Sequence, residues 1–186
     1  IKNDDLVKTR KITNSNKKKS IVFVPGAYLG EKIMALPEFK VPDILVADYQ
    51  MYLVRILKDL GYHISIKIHP GGLNKLDFFK KLGCNLVFEP FNIFNNSSSV
   101  LIFDFAGSAF FDSLASNKGI IFLNTKVRPK FNETFADLKK RCCVVDSFID
   151  ERKRIRFHKK DLSLAIQRAL DFRRCSHNFA QKYFFN

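Results

Sequence analysis

Two short stretches carry residue types that could hold and react a phosphate-bearing substrate. In VLIFDFAGSAFFDSLASNKGIIFLN, residues 100–124, an apolar run stops at Asp104, a Gly107-Ser108 pair opens a helix, and a second apolar run follows. The first amides of a helix have no intrahelical partner, so Gly107, Ser108 and Ala109 would turn N–H groups outward, and the Ser108 hydroxyl adds a further donor. Such an entrance favours an anion by about 0.3–1 kcal/mol when exposed, too little to bind one alone. The second stretch, IKIHPGG at residues 66–72, supplies what is missing. An imidazole at His69 could give a charge-assisted bond worth about 1.5–3 kcal/mol, and alternation along a strand puts Lys67 on the same side as His69.

Each residue also has an ordinary structural use. His69 before Pro70 and Gly71 could be a turn residue with its ring in solvent. Ser108 could be a helix N-cap, Asp104 could bind local amides, and Asp112, one turn past Ser108, could make a helix-surface pair.

These stretches need a scaffold, and the pattern along the chain describes one. SIVFVPG is a buried strand running into Pro25-Gly26-Ala27. VPDILVADYQMYLVRILKDLG has helical spacing, with Asp43 as N-cap and Gly61 as C-cap. YHISIKIHPGG and CNLVFEP read as strands, with a short helix ending at Gly83 between them. After strands at 100–103 and 120–123 and the helix from Ser108, NETFADLKKRCCVV supplies a helix and a last strand, and two terminal helices follow. The strands are continuously apolar and alternate with helices, so the expected fold is α/β, a parallel sheet with helices on both faces. In such a sheet ligands collect beyond the carboxyl ends of the strands, where Pro25-Gly26-Ala27, His69-Pro70-Gly71-Gly72 and Asp104 to Ser108 all fall.

The chain has 186 residues, of which 46% are hydrophobic, enough for one globular domain with a core. No apolar run reaches the roughly 20 residues of a membrane-spanning helix. Residues 1–19 are polar, charged and aperiodic, and the first residue is Ile1, so they read as a linker or arm from a missing N-terminal region, with the domain at 20–186. Four cysteines without CxxC spacing suit a reduced cytoplasmic protein, with Cys142 and Cys143 as strand or core residues. The formal charge of +14, gathered in runs such as Lys139 to Arg141 and Arg152 to Arg154, is either a solvated surface or the mark of an anionic partner.

Taken together, IKIHPGG and the stretch at 100–124 resemble the C-terminal, nucleotide-binding half of bacterial GT-B glycosyltransferases that build capsule and other surface polysaccharides. They are similar, more distantly, to CDP-glycerol glycerophosphotransferases and to bacterial sialyl- and polysialyltransferases, which carry an HP motif and a serine motif. The resemblance runs from Ser20 to the C-terminus and implies a Rossmann-like domain that is one half of a GT-B architecture. It implies that His69 contacts the donor phosphate as the catalytic group, beside Lys67, Pro70 and Gly71. Asp104, Gly107, Ser108 and Ala109 would line the same phosphates, and Asp112 stands where the family often has a Glu near the ribose. Asp112 is shorter than Glu, Gly119 replaces the usual Pro after Lys118, and the spacing from Asp104 to Ser108 is one residue longer than in the glycerophosphotransferase form.

The implied function is donor binding in transfer of a sugar from a nucleotide-sugar to a surface polysaccharide or lipid-linked glycan. No metal or further cofactor is required, because cationic groups and helix amides take the leaving diphosphate's charge. The acceptor half would be the missing N-terminal domain, so the chain by itself is expected to bind donor without turnover. Its place would be cytoplasmic, peripheral on the inner face of an anionic membrane. The alternatives are a glycerophosphotransferase or nucleotide-sugar epimerase domain, or a non-catalytic module for RNA or a membrane surface. Nucleic acid is the less favoured partner, since basics interleaved with aromatics in a reading motif are lacking.

Overall fold

Ile21, Val22, Phe23 and Val24 are all buried, which a strand achieves only when both of its faces are covered. The computed structural model describes residues 20–28, 42–69, 77–91, 100–116, 118–126 and 132–171. In chain order the elements are β1 (Ser20–Val24), α1 (Asp43–Asp59), β2 (His63–Lys67), α2 (Asp77–Lys81), β3 (Asn85–Val87), β4 (Val100–Phe103) and α3 (Ser108–Leu114). Then come β5 (Gly119–Asn124), α4 (Asn132–Arg141), β6 (Cys143–Asp146), β7 (Phe148–Ile149), β8 (Ile155–Arg156) and α5 (Lys159–Asp171).

Six strands form one parallel sheet in the order β3-β2-β1-β4-β5-β6. This is a Rossmann-like α/β fold. The chain builds outward from β1 to β3, then crosses back to lay β4 on the other side of β1, so the strand order reverses between β1 and β4. Alternate residues of β1, β4, β5 and β6 serve different layers. Ile21, Phe23, Ile66, Ile102, Ile121 and Leu123 pack with Leu53 and Leu57 of α1 and Leu162 and Ile166 of α5. Val22, Val24, Leu101, Phe103, Ile120 and Phe122 pack with Phe110 and Leu114 of α3 and Leu138 of α4.

Helix α1 is capped by Pro42, and Asp43, expected as the cap, is instead its first helical residue. The exit is as the sequence indicates. Gly61 adopts φ +84°, its amide reaches the Lys58 carbonyl and the Tyr62 amide reaches Leu57, a paired closure that uses a left-handed residue. Gly83 ends α2 in the same way at φ +69°, with bonds from Gly83 to Lys80 and Cys84 to Phe79.

Two further features go beyond the sequence reading. After β6 the chain makes a small antiparallel hairpin, β7–β8, where no further strand is expected. Asp150 organises its turn, accepting bonds from the Arg152 and Arg154 amides at 3.0 and 2.9 Å and from Arg154 Nε at 2.8 Å. Arg156 then ties the hairpin to α1 through Asp48 at 2.6 Å and lies over the Tyr52 ring. The second is Gly119. A Cβ there would stand 2.0 Å from the Ala169 carbonyl oxygen, so this glycine lets α5 sit directly on β5. The arm at 1–19 and the second terminal helix expected after α5 lie outside the described residues.

Candidate functional site at the strand-order reversal

The parallel pairing of β1 with β4 sets Val24 beside Phe103, so the loops leaving these strands emerge side by side. They are tied together by Asp104. Its Oδ1 accepts the Gly26 amide at 2.6 Å, while its Oδ2 accepts the Tyr49 hydroxyl at 2.8 Å and Gln50 Nε2 at 2.6 Å. Tyr28 in turn donates to Gln50 Oε1. The Asp104 carboxyl is buried, which pushes its pKa up, and the bonds from Gln50, Gly26 and Tyr49 oppose that rise. Burial, then the charge of Asp104, hold Tyr28 and Tyr49 above the ordinary tyrosine range, so both hydroxyls stay protonated donors.

Asp104 therefore does its work inward, tying the loop after β4 to the loop after β1 and to α1 through both oxygens. Tyr28, Tyr49 and Gln50 are partners the sequence reading missed. One signal was available, because Gln50 is a fully buried amide among the apolar residues of α1 and a buried amide requires partners.

At the start of α3 the cap position belongs to Gly107, with φ −99° and ψ −173° and no side-chain cap bond, and Ser108 is the first helical residue. The Gly107 carbonyl accepts the amides of Phe110 and Phe111 at 3.0 and 3.2 Å. Helix geometry leaves the Ser108 and Ala109 amides without an intrahelical acceptor. Ser108 and Asp112 share the exposed side of α3, while Ala109 is half-buried. Close packing explains both glycines here. A Cβ on Gly107 would come within 3.0 Å of the Phe105 ring, and one on Gly26 within 3.2 Å of Phe105 Cβ, so Phe105, in the loop after β4, packs against both glycines.

His69 is exposed just beyond β2, on the other side of β1. Neighbouring strands are 4.7–4.9 Å apart, so two spacings put the end of β2 roughly 10 Å from the end of β4. Lys67 does not join it at the surface. Its side chain is buried and Nζ donates to the Ile68 carbonyl at 2.7 Å, with burial lowering its pKa and Glu89 partly offsetting that. Pro70 and Gly71 lie outside the described residues.

Part of the basic charge is used internally. Arg141 is buried and donates to carbonyls of Ser113, Leu114 and Ser116 at the end of α3, Arg154 and Arg156 pair with Asp150, and Lys140 pairs with Asp137. Cys142 is buried and Cys143 begins β6. Among the described residues, no group of three or more His, Cys, Asp or Glu could hold a metal ion, and no helix is long and apolar enough to cross a membrane. Neither a family model nor a curated protein sequence matches the chain.

Proposed function

We propose that the chain is the donor-binding domain of a glycosyltransferase, holding a nucleotide-sugar whose sugar passes to a surface polysaccharide or lipid-linked glycan. The observation that carries this reading is the convergence at the reversal of strand order. The Gly26 loop, the Gly107-Ser108 helix entrance and exposed His69 follow the carboxyl ends of three neighbouring strands, β1, β4 and β2. A diphosphate is long enough to bridge helix amides and an imidazole across two strand spacings. In this reading His69 and the α3 amides stabilise charge on the departing nucleotide diphosphate, with no metal required. Asp112 faces the same side as Ser108 and would meet a ribose hydroxyl. The acceptor and its base would come from a further domain.

An epimerase or glycerophosphotransferase would call on a second histidine or carboxylates in the crevice. His63 begins β2 whereas His69 follows its end, so the strand separates them, and His158 stacks on Phe148 of the hairpin. That arrangement favours the glycosyl-transfer reading. A cytoplasmic position against an anionic membrane belongs to the same proposal. It is supported by the exposed Phe148 and Ile149, which share the hairpin and the following helix turn with exposed Arg152, Lys153, Lys159 and Lys160.

The test is a titration with CMP, CDP, UDP, GDP and ADP by ligand-observed NMR, beside a His69→Ala variant. The expected result is selective binding of one nucleotide that the substitution abolishes. Absence of binding by all five at millimolar concentration, with steep salt-sensitive RNA binding in its place, would overturn the reading in favour of a non-catalytic basic module.

A further inference from the structure

The outer edge of the sheet carries a groove that neither the nucleotide reading nor the hairpin uses. It measures about 720 Å³, runs along β6 between α4 and α5, and is lined among others by Lys139, Asp146, Asp161, Leu164 and Arg168. Among the described residues no strand pairs with the outer side of β6. The Ser147 amide donates to the Asn124 carbonyl at 3.0 Å, so alternation directs the peptide groups of Val145 toward β5 and those of Val144 and Asp146 outward into the groove. An edge of this kind is a template for another strand.

The wall contributed by α5 indicates which strand. Asp161, Leu164 and Arg168 stand at i, i+3 and i+7 on one side of the helix, all exposed and all facing the groove. Leu164 is 41% exposed, a large apolar side chain left at the centre of the stripe. The acid lies at one end and the base at the other. Laid antiparallel beside a copy of itself, the stripe brings Leu164 against Leu164 and Asp161 against Arg168 at both ends. The same reversal lays β6 antiparallel to β6. Spacing agrees as well, because α5 rests on β5 and β6, and joining two edge strands at 4.7–4.9 Å would put the two α5 axes roughly 10 Å apart, near the 8–10 Å of packed helices.

We infer that this groove takes a second copy of the chain, with β6 pairing to β6 across a two-fold axis and α5 packing on α5 to give a continuous twelve-stranded sheet. Each copy presents the same patch to the other, as a closed two-fold dimer requires. The inference is independent of the nucleotide reading.

Sedimentation velocity of the full chain tests it, with Asp161→Arg, Arg168→Asp and the double exchange. The wild type is expected to sediment as a dimer. Each single substitution sets like charges against each other and should weaken dimerisation at least about ten-fold, whereas the double exchange restores the opposite pairing and the dimer. Both substituted positions lie on the exposed side of α5, and a circular-dichroism melt of each of the three variants checks the fold. A monomeric wild type, as expected if the chain's own residues after Asp171 fill the groove, would overturn the inference. So would single variants that still dimerise, or a double variant as monomeric as the singles.

Discussion

The Gly26 amide donates a 2.6 Å hydrogen bond to Asp104 Oδ1, joining the loops of β1 and β4 where the strand order reverses. The candidate site thus rests on a buried carboxylate whose three partners come from two places in the chain, the loop after β1 and helix α1. Removing it exposes the dependence. Asp104→Ala leaves the Gly26 amide, the Tyr49 hydroxyl and the Gln50 amide facing a space without an acceptor, and at about 1–3 kcal/mol for each such group the loss should reach about 3 kcal/mol or more. Urea denaturation measures it.

The same residue predicts a pH dependence with a definite sign. Burial raises the Asp104 pKa in the fold above its ordinary value of 3.8, so the unfolded chain releases this proton first as pH rises. Over that interval the folded state binds more protons and stability falls with rising pH, levelling once the folded carboxyl has also ionised. Asp104→Asn removes the titration. Wild-type stability relative to the Asn variant should therefore decline from the ordinary value of 3.8 upward and then become flat. A difference that grows in favour of the wild type over the same range would contradict the assignment.

Ser108→Asp separates binding from stability. A carboxylate in the first turn of α3 is favourable for the helix by about 0.3–1 kcal/mol, so the melting temperature should hold or rise slightly. The same charge at the entrance should repel a nucleotide diphosphate and abolish the nucleotide binding expected in the NMR titration. Undiminished nucleotide affinity in a well-folded Ser108→Asp protein would remove α3 from the phosphate site.

Gly119→Ala is expected to be costly although one methyl group is all that is added. Its Cβ would meet the Ala169 carbonyl oxygen at 2.0 Å, and a backbone atom cannot be trimmed away. Overpacking of this kind costs about 1–3 kcal/mol, and Ala169→Gly should give no rescue because the obstructing atom remains. A thermal melt of the single and double variants decides this.

What the sequence showed and hid follows from these contacts. The strands of the large sheet were legible because burial on both faces leaves continuous apolar runs, and the Gly61 and Gly83 helix ends because their left-handed turns favour glycine. The β7–β8 hairpin was not legible, since each strand has two residues and Asp150 to Arg154 between them reads as solvated charge until its bonds are seen. His69 and Ser108 were marked by their neighbours in sequence. Tyr49 and Gln50 were not, because what joins them is Asp104, more than 50 positions further along the chain, and Tyr28 enters the network only through Gln50.

Arg141 shows how such a distant contact bears on the site. The sequence places it at the end of a basic run, yet its guanidinium is buried and donates to the Leu114, Ser113 and Ser116 carbonyls at 2.7, 3.2 and 2.6 Å. These are carbonyls at the negative end of α3, the helix whose other end presents Ser108. Arg141→Met should destabilise the fold by about 4 kcal/mol or more, since three charged hydrogen bonds of about 1.5–3 kcal/mol each are lost and buried carbonyls are stranded. Arg141→Lys should recover less than half of that, because one ammonium cannot span three carbonyls as the planar fork does. Under conditions where the Lys variant stays folded, its nucleotide affinity should also fall, through a loosened α3. Chemical denaturation and the NMR titration on the same samples give both readouts, and a Lys variant equal to wild type in each would show that α3 is held by its apolar packing alone.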